Sequence, residues 1–163
     1  AYYDMFKTDD ASEIVFDSGD VKLLDSKIVG ITRENEIYNV KWNSHFTIEL
    51  ELENLNLEKT PFVSFAVYDK EQRAIAEIVP EDQDLTVDFE KYEKKKLHFK
   101  INKFNFSKGI YSITLNFSLN PKTDALYKEH RIFNINISDT DQMWTPILVD
   151  SQFVSKKKLI EGK

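Results

Sequence analysis

The sequence predicts an all-β protein, an antiparallel β-sandwich of seven or eight strands. Three observations carry that expectation. Between Gly19 and Ile137 the chain repeats short stretches of alternating apolar and polar residues, the two-residue period of a strand with one buried face. Polar turn segments separate these stretches at regular intervals. No long helical period lies between them, so the crossover helices that a parallel sheet requires are missing. The chain has 163 residues, enough for one domain with one core, and its 41% hydrophobic and 13% aromatic content can fill that core.

Residues 1–18 mix acidic and small residues with Tyr2, Tyr3, Phe6 and Phe16. They read as a linker docked on the domain, with a helical turn started by Asp9 or Ser12. The first strand is expected over Val21–Gly30, and charged turn residues Arg33–Glu36 follow it. Trp42 precedes the clearest strand, His45–Asn54. There Phe46, Ile48, Leu50 and Leu52 point in, and Thr47, Glu49, Glu51 and Glu53 point out. Pro61–Asp69 and Ala74–Val79 are the next two, joined by the polar hairpin turn Asp69-Lys70-Glu71-Gln72. Residues 80–92, with Pro80 and several acidic residues, read as a loop. The fifth strand is Lys95–Asn102, with Leu97, Phe99 and Ile101 inward. The sixth is Gly109–Leu119, with Tyr111, Ile113, Leu115, Phe117 and Leu119 inward. The seventh is Leu126–Ile137, with Phe133, Ile135 and Ile137 inward. Trp144–Val149 is a candidate eighth strand, and Lys156–Lys163 a frayed basic tail.

The sixth strand turns Ser112, Thr114, Asn116 and Ser118 outward. If the order is immunoglobulin-like, Pro61–Asp69, Gly109–Leu119 and Leu126–Ile137 share a sheet. Its outer face then adds Ser64, Ala66 and Tyr68 from one neighbour, and His130, Asn134 and Asn136 from the other. A slip of one residue would send all of them to the core. This row has hydrogen-bonding groups and almost no charge, which suits a neutral, hydroxyl-rich ligand better than an ion. Tyr68 could stack on a sugar while nearby amides and hydroxyls bond its hydroxyl groups. The same residues are ordinary on the wet side of an antiparallel sheet, so a plain solvent face is the competing reading. Trp42 fits either a stacking role or a core position. Trp144 fits a plug at the sandwich end or a subunit contact.

Other chemistry is sparse. There is no Cys, which excludes disulfides and thiolate metal sites and fits a reducing compartment. The formal net charge of -6 argues against nucleic acid as the main partner. No stretch approaches the ~20 apolar residues of a membrane helix. Phosphate-cradling glycine motifs and the G-x-S-x-G nucleophile motif are absent, and no cofactor is expected. His45, His98 and His130 lie far apart in sequence and read as separate surface or rim histidines. Glu81, Asp82 and Asp84 lack the spacing of a calcium loop. The abundant acidic residues leave a glycosidase-type carboxylate pair open. The first residue is Ala1, which points to a fragment or a processed product.

Several segments resemble a known family in order and pattern. Ser18-Gly19-Asp20-Val21-Lys22-Leu23-Leu24-Asp25 looks like its opening strand, and His45-Phe46-Thr47-Ile48-Glu49-Leu50-Glu51-Leu52 like its next. Phe62-Val63-Ser64-Phe65-Ala66-Val67-Tyr68-Asp69 is similar to a third. Leu97-His98-Phe99-Lys100-Ile101 and Lys108-Gly109-Ile110-Tyr111-Ser112-Ile113-Thr114-Leu115 resemble a further pair, of which G-x-Y-x-I is the most specific piece. The family is the C-terminal carbohydrate-binding domain of the ATP-binding subunit of O-antigen polysaccharide ABC transporters, the Wzt type. The chain departs from it at Asn43-Ser44, where Gly-Glu is usual, and at Glu71-Gln72, where Gly often follows the aspartate. Both are turn positions.

The resemblance implies an immunoglobulin-like sandwich over residues 18–138, preceded by a linker remnant (1–17) of an absent nucleotide-binding domain. It implies a C-terminal strand exchanged between subunits of a homodimer within 139–163. It implies a non-catalytic domain that recognises the end of a lipid-linked O-antigen polysaccharide and selects it for export. The parent would be an ATPase subunit acting with a permease at the cytoplasmic face of the bacterial inner membrane. The residues expected to hold the glycan are Tyr68, Ser112, Thr114, Asn116, His130 and Asn134; no catalytic and no metal-binding residue is expected. A protein-interaction or adhesion sandwich and a glycan-modifying hydrolase are the alternatives.

Overall fold

The computed structural model describes residues 11–138 and 151–154. The described residues contain no helix and form ten strands. These are β1 (Glu13–Asp17), β2 (Val21–Val29), β3 (Arg33–Glu34), β4 (Ile37–Lys41), β5 (Ser44–Asn54), β6 (Phe62–Tyr68), β7 (Ala74–Ile78), β8 (Lys94–Phe104), β9 (Gly109–Ser118) and β10 (Ala125–Ser138). The large sheet runs β3-β4-β10-β9-β6-β7, with β1 also on β10; the small sheet runs β2-β5-β8. All pairs are antiparallel except β4 with β10. The fold is the expected all-β sandwich, and β6, β9 and β10 are neighbours in one sheet, as the assumed immunoglobulin-like order placed them.

Strand β5 shows why the pattern folds this way. Phe46, Ile48, Leu50 and Leu52 are buried, and the intervening Thr and Glu side chains are partly exposed. Burying each such apolar side chain contributes roughly 1.5–3 kcal/mol. They meet Phe65, Ile113, Leu115, Phe133, Ile135 and Ile137 of the large sheet. Phe65 of one sheet meets Phe99 of the other edge to face, with ring centroids 5.6 Å apart. Tyr111 donates its hydroxyl to the Ser107 carbonyl four residues upstream at 2.8 Å, a tyrosine corner of the immunoglobulin sandwich type.

The structure departs from the sequence reading in several places. Ser12 starts no helical turn: residues 13–17 form β1, antiparallel to the first half of β10. Asp9 and Trp144–Val149 lie outside the described residues. Arg33–Glu36 is half of a hairpin. Asn35 and Glu36 both take positive φ (50° and 66°), the requirement of a two-residue turn whose twist matches its strands. That turn adds β3 and β4 to the strand count. Leu119 falls past the end of β9 and is exposed, because the chain there turns through Asn120 and Thr123. Trp42 takes the core option and packs, half-buried, against the main cluster.

Buried Asn54 at the end of β5 joins two loops. Its Nδ2 lies 2.6–3.0 Å from the carbonyls of Leu57, Phe89 and Glu90, and its Oδ1 accepts the Leu57 N–H at 2.6 Å. Asn54→Ala should cost about 2–4 kcal/mol, because buried backbone groups lose their partners. Asn54→Asp should cost at least as much, since it turns a carboxylate toward those carbonyls. Urea unfolding of the two variants measures both.

Candidate functional site

The two outer faces of the sandwich differ in chemistry. On the small sheet, Glu49 bonds His98 at 2.9 Å and pairs with Lys27 and Lys96, while Glu51 and Glu53 sit opposite Lys96 and Lys94. These partners hold the Glu49 carboxyl below its usual range: the His98 bond acts most, burial opposes it, and the two lysines add to it. On the large sheet, the outward side chains of β6 and β9 are Ser64, Ala66, Tyr68, Ser112, Thr114, Asn116 and Ser118, none of them charged. This face is less open than the alternation suggests. Ser64, Ser112, Thr114, Ser118 and Asn134 are all buried. Short side chains on central strands are shaded by longer ones beside them.

One interruption shapes the face. Between Leu115 and Ile113 of β9 the partner strand runs from Glu129 to Phe133, so β10 carries extra residues there. Arg131 in this bulge has φ +57°, a left-handed conformation unusual outside glycine. The bulge lies opposite Thr114 and brings His130 over it, with His130 Nδ1 2.8 Å from the Thr114 hydroxyl. The His130 ring meets Tyr68 edge-on, centroids 5.7 Å apart. Together Tyr68, Gln72, Ser112, Thr114, His130 and Arg131 line a depression of about 130 Å³.

Each wall has its own support. Tyr68 and Gln72 flank the β6–β7 turn, which Asp69 fixes by accepting the Arg73 N–H at 2.9 Å and its Nε–H at 2.7 Å. Burial alone would raise the Asp69 carboxyl; these bonds and the Arg73 charge outweigh it and hold the pKa below the usual range. Arg131 donates to the Ala11 carbonyl at 2.9 Å and pairs with Glu13 at 3.3 Å, so β1 braces the bulge. His130 titrates below its ordinary 6.5, because burial and then the Lys128 and Arg131 charges disfavour the imidazolium. Near pH 7 its ring is neutral and offers one donor and one acceptor.

Of the six residues singled out in the sequence, Tyr68, Ser112, Thr114 and His130 converge on this depression. Asn116 does not: it sits half-exposed further along the sheet, between Ser64 and Lys128. Asn134 lies across from Ser112 but lines a separate notch beyond the bulge. Sequence reasoning missed Gln72, placed only in a turn, and Arg131, placed only in a strand. A larger hollow of about 420 Å³ lies elsewhere, between β8 and the loop after β7. Pro61, Leu85, Val87, Leu97 and Phe99 make it mostly apolar. Gln83 pins its loop by matching both backbone groups of Val63, like a strand partner, at 2.7 and 2.8 Å.

No protein-family pattern and no curated protein matches the sequence. Among solved structures the chain is similar to the C-terminal domain of Wzt. The TM-score is 0.65 at 13% identity, covering 88% of this chain and 89% of that one. It is also similar to a Niemann-Pick type C2 protein from the Japanese carpenter ant. There the TM-score is 0.53 at 13% identity, covering 78% and 99%. At these identities the likeness is one of fold: a β-sandwich of the kind seen in the Wzt C-terminal domain.

The left-handed Arg131 gives a direct test of the bulge. Arg131→Gly and Arg131→Ala both lose the tether to Ala11 and Glu13, but only glycine takes φ +57° without strain. The glycine variant should be the more stable of the two by about 1 kcal/mol in chemical denaturation.

Proposed function

We propose that this protein is a non-catalytic carbohydrate-recognition module that reads the end of a polysaccharide on the outer face of its large sheet. One observation carries this reading. A depression lined by hydroxyl, amide and neutral imidazole groups and by the Arg131 guanidinium, which is tied to Glu13, with one aromatic edge, lies on a sheet face whose outward β6 and β9 positions carry no charge, while the other sheet face is laced with charge. A solvated glycan end presents hydroxyl groups in many directions and an apolar ring face. Ser112, Thr114, Gln72 and His130 supply donors and acceptors for the first, and Tyr68 supplies a ring for the second. The depression is smaller than the ~300–1,000 Å³ of pockets for drug-sized ligands, so it holds part of a glycan and binds weakly.

The fold likeness to the Wzt C-terminal domain and the resemblance of the strand segments support a finer reading. The glycan is then the terminal part of a lipid-linked O-antigen, selected for export by an ABC transporter. The module works as a homodimer attached to an ATPase subunit and its permease, at the cytoplasmic face of the inner membrane. None of the residues lining the depression carries a carboxyl, so a bound glycan meets no acid–base pair there.

A protein-interaction module is the second reading. It is favoured by the exposed Ile14, Val15 and Phe16 of edge strand β1 and by the apolar hollow. An array of bacterial O-polysaccharide fragments separates the two: binding to at least one oligosaccharide supports recognition of glycans, and an array with none bound overturns it. Tyr68→Ala should weaken binding of the best array oligosaccharide at least about ten-fold, the loss of one stacking contact. Unchanged affinity with an intact fold would remove the depression from the site.

Acidity should matter as well. The neutral His130 ring is favoured by the fold, so its contribution is complete above pH 6.5 and is lost as pH falls through the lowered folded-state value. Oligosaccharide affinity should be flat from pH 8 to 6.5 and decline only as pH falls further, through that lowered value. His130→Gln should flatten that decline in the same titration.

A further inference from the structure

We propose that a second polyhydroxyl subsite lies in the notch on the far side of Arg131, so that the module reads a glycan across two adjoining concavities. This rests on the carbohydrate reading above and extends it. Along one edge, β10 pairs with β1 through Glu129 and His130 and with β4 from Asn134 onward. Between them, among the described residues, no strand pairs with Arg131, Ile132 and Phe133 on that edge, although Ile132 and Phe133 are buried. Strand-edge backbone there faces a gap in place of a neighbour, and backbone groups seek partners. The gap is the notch, about 320 Å³, and Ser26, Arg33, Glu36, Glu129 and Asn134 stand around it.

The chemistry of the walls selects a neutral polar ligand. Arg33 pairs with Glu36 at 3.4 Å, Arg131 pairs with Glu13 at 3.3 Å, and Glu129 accepts the Tyr127 hydroxyl at 2.7 Å. The notch is polar, and its lining carries two arginines, Arg33 and Arg131, and two glutamates, Glu36 and Glu129, so its charges are equal in number. It offers hydrogen bonds in several directions without attracting an ion, which is what a sugar ring requires. Its volume exceeds that of the depression, and Arg131 lines both. A glycan whose end sits by Tyr68 and His130 continues over Arg131 into the notch, and the added contact offsets the small size of the first site. The strained backbone of Arg131 is the divide between the two, in keeping with the way strain collects at binding sites.

The test uses the best-bound array oligosaccharide and the same molecule shortened one sugar at a time. Ser26→Leu fills the notch; Glu36→Ala, on an exposed hairpin, removes a wall group with little risk to folding. Both should weaken the longest oligosaccharide about ten-fold and leave the shortest bound fragment unaffected, while Tyr68→Ala weakens every length. If Ser26→Leu and Glu36→Ala bind all lengths like the parent protein while Tyr68→Ala still weakens them, the notch is no subsite and the sheet-face reading stands. If no array oligosaccharide binds at all, both are overturned.

Discussion

Strand β10 bonds β9 along one edge and divides the other between β1, which is antiparallel to it, and β4, which is parallel. Antiparallel and parallel ladders space their hydrogen bonds differently, so one strand edge does not pass smoothly from one to the other. The bulge between Glu129 and Phe133 sits at that change of partner. The other features of the candidate site follow from it. The bulge carries His130 over Thr114, leaves Arg131 left-handed, and opens the sheet edge between β1 and β4. Strand β1 and the residues just before it then brace the distortion through Arg131, with the Ala11 carbonyl and the Glu13 carboxylate.

The contrast between the two sheet faces gives this distortion a chemical setting. A charge-laced face like that of β2, β5 and β8 keeps a sandwich soluble, and its exposed ion pairs add little stability. The β6–β9–β10 face instead spends its central positions on Ser, Thr and Asn. Unlike charged groups, these bond a neutral hydroxyl without first losing a strongly held hydration shell. Aromatic Tyr68, held beside His130 by the Asp69–Arg73 turn, adds the apolar contact that hydroxyl groups alone lack.

Much of the fold was legible because burial imposes a strict period of two. Phe46, Ile48, Leu50 and Leu52, and likewise Phe133, Ile135 and Ile137, admit one register only. The sharing of a sheet by β6, β9 and β10 followed from the assumed strand order. What local pattern conceals is pairing between distant segments. The β3–β4 hairpin turns on Asn35 and Glu36, residues without the usual glycine. The gap between β1 and β4 depends on segments about a hundred residues apart. One clue to the bulge was present all the same. Glu129 and Arg131 occupy the inward positions between Tyr127 and Phe133, and Ile132 an outward one, so the alternation breaks where the strand does. Gln72 and Arg131 escaped notice because a turn and a strand edge reach the depression only after folding. The burial of Ser112 and Thr114 was hidden for the same reason: their shade comes from Tyr68 and His130, side chains of other strands.

The most direct measurement is backbone amide mapping of the isotope-labelled protein as an O-polysaccharide fragment is titrated in. For a site on the large sheet, the amides of Tyr68, Gln72, Ser112, Thr114, His130 and Arg131 shift progressively with added glycan. Those of β5 and β8 on the charged face stay in place. Shifts that gather around Leu85, Val87 and Phe99, or along β1 alone, would contradict a glycan site at the β10 bulge.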